Sequence, residues 1–172
     1  MDKEITKIVV FGALDAGKTT FVEVLSGEKL LLKGEHGRIT TSFDFVQIDY
    51  KDYLIQLFAT PGHRRFSFMW DTLARGMECA IFLIDSTVGI SPVDYELLLF
   101  IKKYEVPYII AANKSDLVNL PEDEIRKKLE VPDEVPIIYT SALINQNLDH
   151  VMDTAISLIN DYNSKGKGEI YV

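Results

Sequence analysis

The sequence predicts an α/β sandwich around a mostly parallel sheet. Three observations carry that expectation. Apolar runs of strand length alternate with longer segments of helical period, the pattern of strands linked by crossover helices. Two neighbouring runs, residues 43–50 and Tyr53 to Phe58, are joined only by Lys51-Asp52, so they form a hairpin that adds one antiparallel edge strand. The residues with the most chemistry fall directly after strands, where open α/β sheets bind ligands.

Ile5 to Phe11 is rich in β-branched residues and forms the first strand; Lys18 to Leu25 begins a helix. The hairpin follows, and Arg64 to Arg75 reads as one helix. Cys79 to Asp85 is a buried strand, and Val93 to Tyr104 a helix opened by Ser91-Pro92. Val106 to Ala112 is a second buried strand. Glu122 to Leu129 is a helix set between Pro121 and Pro132. Pro136 to Tyr139 and Leu148 to Ile159 give the last strand and the last helix. Lys165-Gly166-Lys167-Gly168 reads as a frayed end, so the expected division is one domain over 1–163 and a flexible tail over 164–172.

The 172 residues suit one domain, and 47% hydrophobic with 26% charged residues is an ordinary globular mixture. A net charge of −8 argues against a broad nucleic-acid or anionic-membrane surface, which needs a basic face. Cys79 is the single cysteine and lies in an apolar run, which makes it a core residue and rules out an intrachain disulfide. Position 2 is Asp and the last residues carry no prenylation cysteine, so the expectation is a cytoplasmic monomer with no direct membrane anchor.

Gly12-Ala13-Leu14-Asp15-Ala16-Gly17-Lys18-Thr19 fits the phosphate-loop pattern G-x-x-x-x-G-K-[ST], between a strand and a helix as the chemistry requires. The glycines let successive N–H groups turn towards an anion, and the helix N-terminus adds positive potential. Lys18 reaches the β- and γ-phosphates and the Thr19 hydroxyl ligates Mg²⁺. Asp15, Ala16 and Thr20 complete the expected phosphate-binding set.

Asn113-Lys114-Ser115-Asp116 ends a strand. A carboxylate there accepts two hydrogen bonds from the N1–H and exocyclic amine of guanine, a donor pair adenine lacks, so Asp116 sets base choice. Asn113 ties the pocket loops together, and the Lys114 stem covers the base face. After the next strand, Ser141 and the Ala142 N–H are placed to support the base and its O6, with Leu143 beside them. In Thr60-Pro61-Gly62-His63, the Gly62 N–H is a γ-phosphate sensor and His63 orients the attacking water. Arg38-Ile39-Thr40-Thr41 offers a threonine to close over Mg²⁺ and the γ-phosphate. Thr40 is preferred over Thr41 by its spacing to the strand, and Arg38 is a candidate internal arginine finger. His36 and His150 read as surface residues.

In this order the motifs resemble the Ras-like small GTPases over essentially the whole chain. More narrowly, Thr41-Ser42-Phe43-Asp44-Phe45 and the run from Phe58 through Thr60-Pro61-Gly62-His63 to Trp70 look like the prokaryotic MglA-like and conservon-type branch. The resemblance implies a P-loop NTPase G-domain, a three-layer sandwich with a six-stranded sheet and about five helices. It also implies GTP/GDP and Mg²⁺ as ligands, GTP hydrolysis, a protein effector and a regulator of roadblock type. Three positions depart from it. Ala59 stands where the usual carboxylate holds a magnesium water, His63 where glutamine is usual, and Leu143 where a lysine walls the base pocket. Asp44, flanked by Phe43 and Phe45, is the expected replacement carboxylate. The leading expectation is a slow GTP-hydrolysing switch. The alternative is a pseudo-GTPase that holds guanine nucleotide without significant hydrolysis, favoured by Ala59. A translation-GTPase fragment is the third reading, suggested by Pro61-Gly62-His63.

Overall fold

A computed structural model describes residues 2–27 and 44–165, the side chains of Asp44 and Arg64 excepted. Six strands form one sheet in the order β2-β3-β1-β4-β5-β6, with β1 Glu4–Gly12, β2 Asp44–Tyr50, β3 Tyr53–Ala59, β4 Cys79–Asp85, β5 Tyr108–Asn113 and β6 Ile137–Tyr139. Only the β2–β3 pair is antiparallel, as the hairpin requires. The expected α/β class and six-stranded sheet are both found.

Side chains alternate across a strand, so a strand buried on both faces reads as continuously apolar. Every residue of β4 and β5 is buried. One face of the sheet packs Ile8, Val10, Ile81 and Ile109 against Phe21 and Val22 of α1 (Lys18–Ser26) and against Val151, Met152 and Ala155 of α5 (Leu148–Lys165). The other packs Val9, Phe11, Phe82 and Ile110 against Trp70 of α2 (Phe68–Ala74), Leu97 and Ile101 of α3 (Pro92–Lys102), and Ile125 of α4 (Glu122–Leu129). Two apolar cores thus clamp the sheet. Burial of each large aliphatic side chain stabilises the fold by roughly 1.5–3 kcal/mol before chain entropy is counted.

Several boundaries differ from expectation. The single helix expected from Arg64 becomes a 3₁₀ turn at Arg64–Phe66 followed by α2. The Phe66 N–H bonds the His63 carbonyl and the Trp70 N–H the Ser67 carbonyl, both three residues back, which tightens the entry. The cause is tertiary: the Trp70 indole N–H donates to the Pro61 carbonyl at 3.2 Å and draws the segment onto the sheet end. Helix α5 continues through Lys165, into the segment expected as tail, and residues 166–172 lie outside those described.

Helix α3 starts on a reciprocal cap. The Ser91 N–H and hydroxyl both donate to Asp94 Oδ2, at 2.8 and 3.0 Å, and Pro92 occupies the first helical position. Asp94 is only 2% exposed, and its Oδ1 has no hydrogen-bond partner among the described residues. Burial pushes its carboxyl above the ordinary range, against the hydrogen bonds from Ser91. The folded state therefore binds this proton more tightly than the unfolded chain. The contribution to stability is complete below the unfolded value, about pH 4, and is lost as pH rises through the raised folded value. Asp94→Asn removes the titration and keeps an acceptor for Ser91. The melting temperature of the variant minus that of the wild type is expected to become more positive between about pH 4 and pH 7; a difference independent of pH would contradict this reading.

Candidate functional site: a nucleotide cleft at the carboxyl edge of the sheet

β1 delivers Gly12 to the edge of the sheet, and the chain curls back before α1. The Ala16 N–H bonds the Ala13 carbonyl at 3.1 Å, and Asp15 and Gly17 take φ values of 65° and 102°. At Gly17 the left-handed backbone and close packing both require glycine, because a Cβ there would lie 2.4 Å from Asn113 Nδ2. Lys18 is 8% exposed and bridges the loop, its Nζ donating to the carbonyls of Gly12 and Ala13 at 2.6 and 2.8 Å. Thr19 and Thr20 lie in the first turn of α1, which contains no acidic residue. The loop is an anion cradle with a cation across it.

Asn113, 2% exposed at the end of β5, joins three segments. Its Nδ2 donates to the Ala16 carbonyl at 2.9 Å. Its Oδ1 accepts from the Thr140 hydroxyl at 3.1 Å and the Ala142 N–H at 3.0 Å. Asn113 thus bonds residue Ala16 of the 12–19 loop to Thr140 and Ala142. The Ala142 N–H, expected at the base O6, donates to Asn113 Oδ1. Asp116 and Leu143 are exposed, while Ser141 is buried. The hydroxyls of Ser115 and Ser141 are buried without hydrogen-bond partners among the described residues. Polar atoms left unpaired at this edge fit a cleft that a polar ligand completes.

The third segment follows β3. The Thr60 N–H bonds the Val10 carbonyl at 3.0 Å, which extends the sheet pairing and sets Gly62 against the phosphate loop. A Cβ on Gly62 would lie 2.7 Å from both Leu14 N and Lys18 Nζ, so only glycine permits this approach. His63 is exposed, and its Nδ1 accepts the Arg65 N–H at 3.2 Å. In the neutral ring the proton then sits on Nε2, which makes that atom a donor. A cavity of about 380 Å³ beside this segment is lined by Leu14, His63, Asp85, Val88 and Asp94, among others.

Arg38, Thr40 and Thr41 lie outside the described residues. Ala59 is buried at 2% exposure, so the end of β3 carries no carboxylate. The backbone register pairs Ala59 with Asp44 directly across the hairpin. Among the described residues no group of three or more His, Cys, Asp or Glu side chains converges. The Thr19 hydroxyl in the first turn of α1 is of a type that suits Mg²⁺, which keeps several waters and binds through hydroxyl and phosphate oxygens.

Sequence reasoning missed Asp85. It ends β4 at 9% exposure, paired in register with Asn113, and its Oδ2 lies 2.8 Å from Lys114 Nζ. The only signal in the sequence was a carboxylate closing an otherwise apolar strand.

Comparison with known proteins agrees with this geometry. Residues 31–161 match the family described as Elongation factor Tu GTP binding domain. The chain belongs to that family. This G-domain is 35% identical over 125 residues to the uncharacterized protein MJ1339 of Methanocaldococcus jannaschii, covering 73% of this chain and 80% of that protein. It is 34% identical over 159 residues to translation initiation factor IF-2 of Mycoplasma mobile, covering 88% of this chain and 26% of that protein. Among solved structures, elongation factor SelB of Methanococcus maripaludis, in complex with the GTP analogue GPPNHP, superposes with a TM-score of 0.75 at 25% identity. That superposition covers 94% of this chain and 35% of SelB. The shared family is one of GTP-binding domains, and this G-domain spans about a quarter of the initiation factor it matches. These relatives do not single out the MglA-like branch.

Proposed function

We propose that this G-domain is a GTP/GDP switch that hydrolyses GTP slowly, in the manner of the Ras-like and MglA-like proteins its motifs resemble. The carrying observation is that Asn113 joins the phosphate loop, the β5 end and the 140–142 loop while Gly62 packs onto the same phosphate loop. One ligand that fills the cleft is then sensed at base and phosphate together. In this reading Gly12, Asp15, Ala16, Gly17, Lys18, Thr19 and Thr20 hold the phosphates. Asp116 reads the guanine edge, Lys114 covers its face, and Ser141, Ala142 and Leu143 wall it. Gly62 and Thr40 sense the γ-phosphate. His63 orients water from Nε2, and Arg38 adds charge to the transition state. Phosphoryl transfer depends on positioning and charge stabilisation, so hydrolysis is slow until a partner completes the site.

A protein effector and a roadblock-type regulator are proposed to dock next to the Gly62 segment, where Phe68 at the start of α2 is 72% exposed. No helix among the described residues is long and apolar enough to cross a membrane. A cytoplasmic monomer is proposed, and a net charge of −8 supports the lack of a broad nucleic-acid surface.

Mg²⁺, when bound, neutralises charge on the phosphates. Thr19 and Thr40 are its proposed direct ligands. Asp44 is proposed to supply the carboxylate that Ala59 lacks, because residues paired directly in an antiparallel ladder share one face of the sheet.

A second reading is favoured by the family match and the initiation-factor likeness: a G-domain that works on the translation machinery. Co-sedimentation with ribosomes in the presence of a GTP analogue, and not of GDP, would support it.

Multiple-turnover phosphate release tests the leading reading. Slow release from GTP and none from ATP is expected, with a shift towards xanthine nucleotides in Asp116→Asn. Undetectable release despite tight GTP binding, even with cell extract, would establish the pseudo-GTPase. Asp44→Ala is expected to raise the Mg²⁺ concentration needed to retain GDP by roughly tenfold, the scale of one charge-assisted hydrogen bond. Asp49, whose exposed ion pair with Lys3 spans 3.2 Å, is the control, and Asp49→Ala should change nothing. Equal behaviour of the two variants would remove Asp44 from the site.

A further inference from the structure

The ion pair between β4 and the start of the base loop is more buried than the surface pairs described. Asp85 and Lys114 are 11% and 31% exposed at their side chains, and the Nζ–Oδ2 distance is 2.8 Å. The two carboxylate oxygens are used separately. Oδ1 accepts from the N–H and hydroxyl of Thr87, which closes the turn after β4. Oδ2 is left for Lys114. Burial alone would push the Asp85 carboxyl up, yet the hydrogen bonds from Lys114 and Thr87 outweigh it and hold the carboxyl below its ordinary range. Lys114 itself occupies the left-handed backbone region at φ 61°, which is uncommon for a residue other than glycine.

Between that backbone and that anchor runs the lysine stem, four methylenes long. The backbone end is fixed through Asn113, which is bound to Ala16, Thr140 and Ala142. The charged end is fixed by Asp85, on the neighbouring strand in register with Asn113. A lysine free in water samples many rotamers, and ordering it costs binding energy when a ligand arrives. Here both ends of the stem are held by the protein's own groups.

We propose that Asp85 is a positioning residue for the purine, holding Lys114 so that its apolar stem forms a fixed platform against the face of the base. The proposal rests on the guanine-nucleotide reading above. It divides the recognition of the base in two: Asp116 reads the edge and sets which purine binds, while the Asp85–Lys114 pair sets how long any purine stays.

Release of a fluorescent GDP, followed in stopped flow at fixed Mg²⁺, tests this in Asp85→Asn, Lys114→Ala and the double variant. Asp85→Asn preserves size and an acceptor for Thr87 and loses the charge. It is expected to speed release roughly tenfold, the scale of a lost charge-assisted hydrogen bond. Lys114→Ala should speed it at least as much, and the double variant should match Lys114→Ala within about twofold, because the two residues act through one contact. Release of inosine diphosphate should accelerate by the same factor as GDP in Asp85→Asn, since the platform meets the face and not the edge. If Asp85→Asn multiplies the release rate equally in the wild-type and Lys114→Ala backgrounds, Asp85 acts on the fold alone and the proposal is overturned. Should Asp85→Asn fail to fold, Lys114→Gln breaks the charge pair and leaves Asp85 with its Thr87 contacts; release at the wild-type rate from that variant also overturns it. A wild-type protein that binds no GDP would instead sink the nucleotide reading itself.

Discussion

The buried amide of Asn113 is the contact on which the cleft depends. It uses both ends of its side chain, donating to the phosphate loop and accepting from the loop after β6. Its partner Ala16 is 97 residues away in sequence, so the bond joins segments that no local preference brings together. Inside the protein such bonds are strong, and breaking one leaves a buried group unpaired at a cost of about 1–3 kcal/mol. Gly17 has to be glycine because the Asn113 amide occupies the space a Cβ would need. Lys114 and Asp116 take their places from the strand end that Asn113 fixes.

The sheet makes this convergence possible. β1 lies between β3 and β4, so the phosphate loop, the Gly62 segment and the Asp85 turn leave neighbouring strand ends. β5 and β6 add the 113–116 and 140–142 loops on one side, and the hairpin brings Asp44 level with Ala59 on the other. Two apolar cores hold the strands in register, and the polar residues at the carboxyl edge are left to bind one another and a ligand.

Much of this was legible in the sequence because its signals are local. The uninterrupted apolar runs of β4 and β5 show strands buried on both faces, and the phosphate-loop and N-K-S-D patterns mark strand ends through their own backbone chemistry. Features that depend on distant contacts were not legible. The break before α2 comes from the Trp70–Pro61 bond, and the commitment of the Ala142 N–H to Asn113 follows from a loop shape no triplet encodes. Helix α5 outruns its apolar period because Asn160 to Lys165 can stay helical while exposed; the Ser164 hydroxyl bonds the Asn160 carbonyl four residues back. Asp85 and Lys114 are 29 residues apart and form a pair only across two strands. The narrower family likeness rested on residues 41–70, part of which lies outside the described chain.

The proposed base and phosphate sites are thus two ends of one hydrogen-bonded frame built from the protein's own groups. Titration of GDP into Asn113→Ala, beside the wild type and at a temperature where circular dichroism shows both folded, tests this most directly. The frame predicts that GDP affinity falls by roughly a hundredfold or more, as expected when several buried partners lose their bond at once. GDP affinity within a few-fold of the wild type would contradict it, and would mean that each loop holds its share of the nucleotide independently.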